Sequence, residues 1–111
     1  MSANQYKEII QSIDPIIHHP SRYLILNILS MLEYADFKFF LRETGLTKGN
    51  LSSHMAKLEN GGYVAVEKTY KGKIPVTLYK ITANGETALR EYKKNINKWY
   101  SLKPSRSDNK Q

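Results

Sequence analysis

A mainly α-helical fold carrying a single β-hairpin is predicted by three observations. Apolar residues recur at three- and four-residue steps in separate stretches spread from Tyr6 to Trp99. One stretch, Tyr63 to Thr82, is instead rich in β-branched and aromatic residues on either side of Lys71-Gly72-Lys73. Helix-capping residues and glycine stops punctuate the chain between these runs.

In the first run, Tyr6, Ile9, Ile10, Ile13, Ile16 and Ile17 form the apolar stripe of an amphipathic helix, which Pro15 and His19-Pro20 bend or end. A second helix starts near Ser21 as N-cap and places Leu24, Ile25, Ile28, Leu29 and Leu32 on one face. Glu33-Tyr34-Ala35 is a short extended connection. Asp36 then caps a third helix that buries Phe39, Phe40 and Phe37 and ends at Gly45. Thr47 caps a fourth, with Leu51, Met55 and Leu58 inward and Gly61-Gly62 as its left-handed stop. The third and fourth helices, joined by Thr44-Gly45-Leu46, make a helix-turn-helix. The hairpin follows, with Pro75 at an edge or near its loop because it cannot donate to a ladder. Thr82-Ala83-Asn84-Gly85 opens a last helix reaching about Tyr100. One domain over residues 1–103 and a polar, disordered tail over 104–111 are expected.

The net charge is +7 on 111 residues, which points to an acidic partner, nucleic acid or an anionic membrane. The charge is uneven: residues 1–60 are balanced, whereas residues 61–82 carry Lys68, Lys71, Lys73 and Lys80 against Glu67 alone. The excess therefore begins in the hairpin and continues through the last helix. Cysteine is absent, which excludes disulfides, thiol catalysis and Cys-ligated zinc. No apolar run is long enough to span a bilayer and the N-terminus lacks a signal-peptide pattern, so a soluble cytoplasmic protein without a membrane partner is expected. There is no Gly-rich phosphate loop, no nucleophile with a His and acid pattern, and no metal-ligand spacing. The chain is expected to be no enzyme and to need no cofactor. His18 and His19 lie in a His-His-Pro sequence that ends a helix rather than binding metal, and the last helix has no His to build a metal sensor.

Function is written most clearly in the fourth helix. With Leu51, Met55 and Leu58 buried, the 100° helical step puts Gly49, Asn50, Ser53, Ala56 and Lys57 on the opposite side. This outer face is small, polar and basic, the composition of a helix that enters a DNA groove. Asn50 has the donor and acceptor pair to contact adenine, Ser53 can donate to a base edge or phosphate, and Gly49 permits close approach. Thr47 and Lys48 sit at the helix N-terminus, where free amides favour a phosphate. Thr47 is either a cap alone or a cap that also touches phosphate. The bland reading of Asn50, Ser53 and Lys57 is a solvated face. His54 is either a phosphate contact on the flank or a partly packed surface histidine. Lys71 and Lys73 flank Gly72 at the hairpin tip, placed to reach phosphates or a minor groove, or else simply to solubilise the tip.

These residues carry a family resemblance over about residues 18–96. Leu46-Thr47-Lys48-Gly49-Asn50-Leu51-Ser52-Ser53-His54, Lys57-Leu58-Glu59-Asn60-Gly61-Gly62-Tyr63-Val64, the wing Lys71 to Tyr79, and Ile81-Thr82-Ala83-Asn84-Gly85 together resemble a small single-domain winged-helix transcriptional regulator of the MarR/ArsR type. The wing lacks the Asp-Arg pair common in many MarR-type wings. The resemblance implies a winged helix-turn-helix that is dimeric through its N- and C-terminal helices and binds double-stranded DNA to regulate nearby genes. It also implies room for a small-molecule effector, of unknown identity, near Tyr6, Tyr92 and Trp99.

The dimer has its own signal in the chain. Leu89, Tyr92, Ile96 and Trp99 repeat at alternating three- and four-residue steps, a helix-pairing seam, and Ile9, Ile13 and Ile17 are its natural partners within a chain or across a two-fold axis. A simple core helix is the other reading of that repeat. A symmetric dimer would set two recognition helices roughly 34 Å apart and call for a near-palindromic operator. The rival from another class is a winged-helix protein-interaction module that never touches DNA, which would have no need of a basic wing or a Gly/Asn/Ser face.

Overall fold

The computed structural model describes residues 3–102; the tail expected over 104–111 lies outside them. Helix α1, Ala3–Ser12, stops before Pro15, as the missing N–H and the ring of proline require. The connection to the next helix is wound tightly by Asp14: its Oδ1 accepts the Ile16 N–H at 2.9 Å and its carbonyl accepts the His18 N–H at 2.8 Å. Ile16 and Ile17 therefore leave the expected helical stripe, and Ile17 drops into the core.

Helix α2, Pro20–Ser30, begins two residues earlier than a Ser21 cap would place it. His19 is the N-cap, its Nδ1 accepting the Ser21 N–H at 3.1 Å, and Pro20 fills the first helical position, where no N–H is needed. Ile25, Leu26 and Leu29 are buried, with Ile28 packed against them. Leu24 is exposed because it lies about 200° around the helix from Leu26, and Leu32 because it falls beyond the C-cap Met31.

Residues Ala35–Asp36 form a short strand, β1, which leads directly into α3, Phe37–Thr44. Asp36 Oδ1 accepts the Phe39 N–H at 2.7 Å, and Gly45, at φ 70°, closes the helix. Phe40 is fully buried, while Phe37 and Phe39 pack on its borders. Helix α4, Lys48–Asn60, is capped by Thr47, whose Oγ1 accepts the Asn50 N–H at 3.1 Å. Its stop is divided between two glycines: Gly61 is the right-handed C-cap, and Gly62, at φ 82°, supplies the left-handed turn.

Strands β2, Val64–Lys71, and β3, Ile74–Ile81, pair antiparallel from Val64↔Ile81 to Lys71↔Ile74, and β1 joins the other edge of β3 through Ala35↔Tyr79. The hairpin loop is Gly72-Lys73, with positive φ only at Gly72, the requirement of a type II′ turn. Helix α5, Ala83–Tyr100, starts at Thr82, whose Oγ1 accepts the Gly85 N–H and donates to Gly62 O at 2.6 Å, joining the end of α4 to the start of α5. A Cβ on Gly85 would lie 2.3 Å from the Tyr63 carbonyl oxygen, so glycine is what lets α5 approach the base of the hairpin.

The core, fully buried at Ile17, Ile25, Leu26, Leu29, Phe40, Leu51 and Leu58, lies between α2, α3, α4 and the sheet. Three helices followed by a hairpin that projects beside the last of them constitute a winged helix-turn-helix, the fold class the sequence predicts.

Candidate nucleic-acid interface

Three buried residues fix the orientation of α4. Leu51, Met55 and Leu58 are all within 2 % of complete burial, so the rest of the helix is divided between a solvent face and two flanks. Thr47, Lys48, Gly49, Asn50, Ser53 and Lys57 are exposed. A Cβ on Gly49 would meet no atom within 4 Å and its φ is not positive, so nothing inside the protein requires glycine there. The Thr47 hydroxyl oxygen is engaged as the helix cap, which is the structural role expected of it.

The wing flank of α4 presents Ser52, Ala56 and Glu59 to Lys68 and Thr77 across a cleft of about 370 Å³ floored by Phe37, Met55, Val66 and Tyr79. Strand alternation explains which wing residues face it. Val64 and Tyr79 are buried, so Val66, Lys68 and Tyr70 on β2 share the helix side with Thr77 and Pro75 on β3, whereas Lys71 pairs with Ile74 on the other side. Lys71 and Lys73 are exposed at the tip as expected. Ser52, Lys68 and Tyr70 are the additional candidates, and a count of two from Val64 along the strand would have found the latter pair.

The opposite flank holds His54. Its ring lies 4.5 Å from that of His19, centroid to centroid, and its Nδ1 accepts a hydrogen bond from Arg22 Nη1 at 3.2 Å. This half-buried, cation-surrounded position lowers the pKa of His54, first through burial and then through His19, Arg22 and Lys57. Because the Arg22 guanidinium can only donate, Nδ1 of His54 is the acceptor, and the neutral ring that the lowered pKa favours carries its proton on Nε2.

The seam residues divide by burial. Ile17, Leu89 and Tyr92 are buried within the protein. Ile9, Ile13 and Ile96 are half-buried and Trp99 is 38 % exposed; beside them Ile10 and Tyr100 are 65 % and 79 % exposed. A cavity of about 170 Å³ lies among Ile10, Ile13, Pro15, His18 and Trp99, with His18 Nδ1 3.0 Å from the Tyr92 hydroxyl oxygen. Burial pushes the Tyr92 phenol up, with the nearby Tyr100 and Tyr23 adding to it. Of the expected effector region, Trp99 lines this cavity, whereas Tyr6 and Tyr92 do not. Among the described residues there is no cluster of three or more metal-ligating side chains, and no helix is long and apolar enough to cross a membrane.

Comparison with known proteins gives a consistent picture. A family model described as a winged helix DNA-binding domain matches residues 22–99. An uncharacterized protein of Methanocaldococcus jannaschii is 40 % identical over 72 residues, which span 64 % of this chain and 77 % of that one. A transcriptional regulator homologue from Pyrococcus horikoshii superposes with a TM-score of 0.76 at 27 % identity, covering 89 % of this chain and 99 % of its own. A protein with a GntR superfamily winged-helix-turn-helix domain from Halomicrobium mukohataei shares the fold at a TM-score of 0.59 and 17 % identity, over 98 % and 84 % of the two chains.

Proposed function

The chain belongs to the winged helix DNA-binding domain family, and from that premise we propose that it is a homodimeric transcriptional regulator that reads duplex DNA through α4. The observation that carries this reading is the exposed Gly49, Asn50, Ser53 and Lys57 face, backed by a rigid core on the other side of the same helix. That helix enters the major groove. Asn50 and Ser53 meet base edges, Gly49 lets the backbone come close, and Thr47 and Lys48 hold a phosphate at the helix N-terminus. Lys57 and His54 lie toward the neighbouring sugar-phosphate strand. Lys71 and Lys73, with Lys68 on the helix side of the wing, meet the adjacent minor groove and its phosphates.

The second protomer packs on the face formed by Ile9, Ile13, Ile96 and Trp99, where exposed Ile10 and Tyr100 extend the apolar surface. Two-fold symmetry then presents two α4 helices to half-sites one helical turn apart, which corresponds to a near-palindromic operator. The experiment that tests this reading combines sedimentation with fluorescence anisotropy on a labelled random-sequence duplex over a series of salt concentrations. A dimer whose affinity falls steeply with salt supports it; a monomer with no salt-dependent binding is the outcome of a protein-interaction module.

A further inference from the structure

Arg22 on α2 is a charged side chain with only 8 % of its surface exposed, and its hydrogen-bond partners among the described residues are two carbonyls and a neutral imidazole. Nε donates to Ile16 O at 2.5 Å, Nη2 to Pro15 O at 3.4 Å, and Nη1 to His54 Nδ1 at 3.2 Å. A guanidinium has five N–H donors, so donors remain beyond these three bonds. The carboxylate of the same connection, Asp14, is turned to the Ile16 N–H and the Tyr63 hydroxyl instead.

Arg22 borders a cavity of about 450 Å³ whose other walls are Pro15, Ile16, Lys57, Asn60 and Gly61. None of the residues lining the cavity carries a carboxylate, and Arg22, Lys57 and Asn60 are side chains with N–H donors. Burying a cation away from water is costly unless an opposite charge accompanies it. Charge-assisted donors converging on one concavity are the chemistry that recognises an oxyanion.

We propose that this cavity binds one oxyanion, a phosphate or carboxylate group, held between Arg22 of α2 and Lys57 and Asn60 of α4. The anion supplies the counter-charge that Arg22 lacks and bridges the helix carrying the core to the helix carrying the candidate reading face. His54 takes part indirectly: its Nδ1 accepts from the same guanidinium, so its ring resonances respond to occupancy. The same chemistry can arrive as a backbone phosphate of DNA or as a free anion.

The test uses the full chain without DNA and inorganic phosphate as the probe, with chloride at equal ionic strength as the control. Arg22 Nε–H and His54 imidazole resonances are followed by NMR. Phosphate is expected to shift both saturably, chloride to leave them unchanged, and Asn60→Asp to weaken phosphate binding at least about tenfold by placing a negative charge on the cavity wall. Arg22→Lys keeps the charge but loses the planar fork and is expected to weaken it similarly; should that variant not fold, Asn60→Asp decides. Absence of saturation, an equal response to chloride, or unchanged binding by folded Asn60→Asp overturns the site. A second arm repeats the titration on the complex with duplex. Loss of the phosphate-induced shift there identifies the occupant as DNA backbone, and its retention identifies a free anion. Because the first arm contains no DNA, its failure leaves the DNA-binding reading standing, and the reverse holds as well.

Discussion

Tyr63, at the base of the wing, donates its hydroxyl hydrogen to Asp14 Oδ2 in the connection between α1 and α2. The bond ties the N-terminal segment to the hairpin across 49 residues of sequence, and the same carboxylate winds its own connection through the Ile16 N–H. Its hydrogen bond to Asp14, then burial, pushes the Tyr63 phenol up to about 12. An unfolded tyrosine ionises near 10, so the stability linked to this group is complete below pH 10 and is lost as pH rises toward 12. Tyr63→Phe is expected to cost about 1–3 kcal/mol in denaturant unfolding at neutral pH and to remove this part of the alkaline loss. An unchanged alkaline limb in the variant would assign that loss elsewhere.

At the acid end the relevant group is His54. Its pKa is lowered from 6.5 by burial and then by its cationic neighbours, so the unfolded chain binds its proton first. The corresponding stability is present above pH 6.5 and declines as pH falls below that value toward the folded pKa. Thermal melts of the wild type are expected to fall on acidification through this window, and His54→Asn, which keeps an acceptor without a titrating ring, should flatten the fall.

Gly49 separates folding from binding. With open space around its Cα, Gly49→Ala is expected to stabilise α4 by up to about 1 kcal/mol in chemical denaturation. If the helix backbone lies against DNA, the same methyl weakens duplex binding. A variant that is more stable and binds DNA as well as wild type would remove Gly49 from the interface.

How much of the fold is legible in the sequence depends on how local each feature is. The caps at Asp36, Thr47 and Thr82 are readable because each is a side chain bonding to an amide three residues on. The hairpin is readable from composition and Gly72. Strand β1 is not, because two residues gain strand character only by pairing with Leu78 and Tyr79, distant in sequence. The Arg22, His19 and His54 cluster escapes for the same reason, as does the inward turn of Ile17 after Pro15. Of the candidate interface, the outer face of α4 follows from periodicity alone and Lys68 from strand alternation, whereas Ser52 becomes visible only when the wing is set against that helix.

The wing is expected to contribute charge rather than base recognition. Replacing Lys71 and Lys73 together by Ala should weaken binding to all duplexes alike and reduce the slope of log affinity against log salt by up to about 0.9 for each phosphate no longer neutralised. The slope is measured by anisotropy at several salt concentrations. An unaltered slope would leave the tip as a solubilising loop.

Asn50 has the opposite signature. Asn50→Ala is expected to cost about 1–3 kcal/mol on a preferred site and far less on random duplex. Equal losses on both would show that Asn50 does not read bases.

The most direct measurement is selection of bound duplexes from a random DNA pool at physiological salt, using the full chain. A consensus of two inverted half-sites about one helical turn apart is expected, reporting groove reading and two-fold symmetry at once. Recovery of no sequence over competitor DNA would contradict the claim that α4 reads a specific operator.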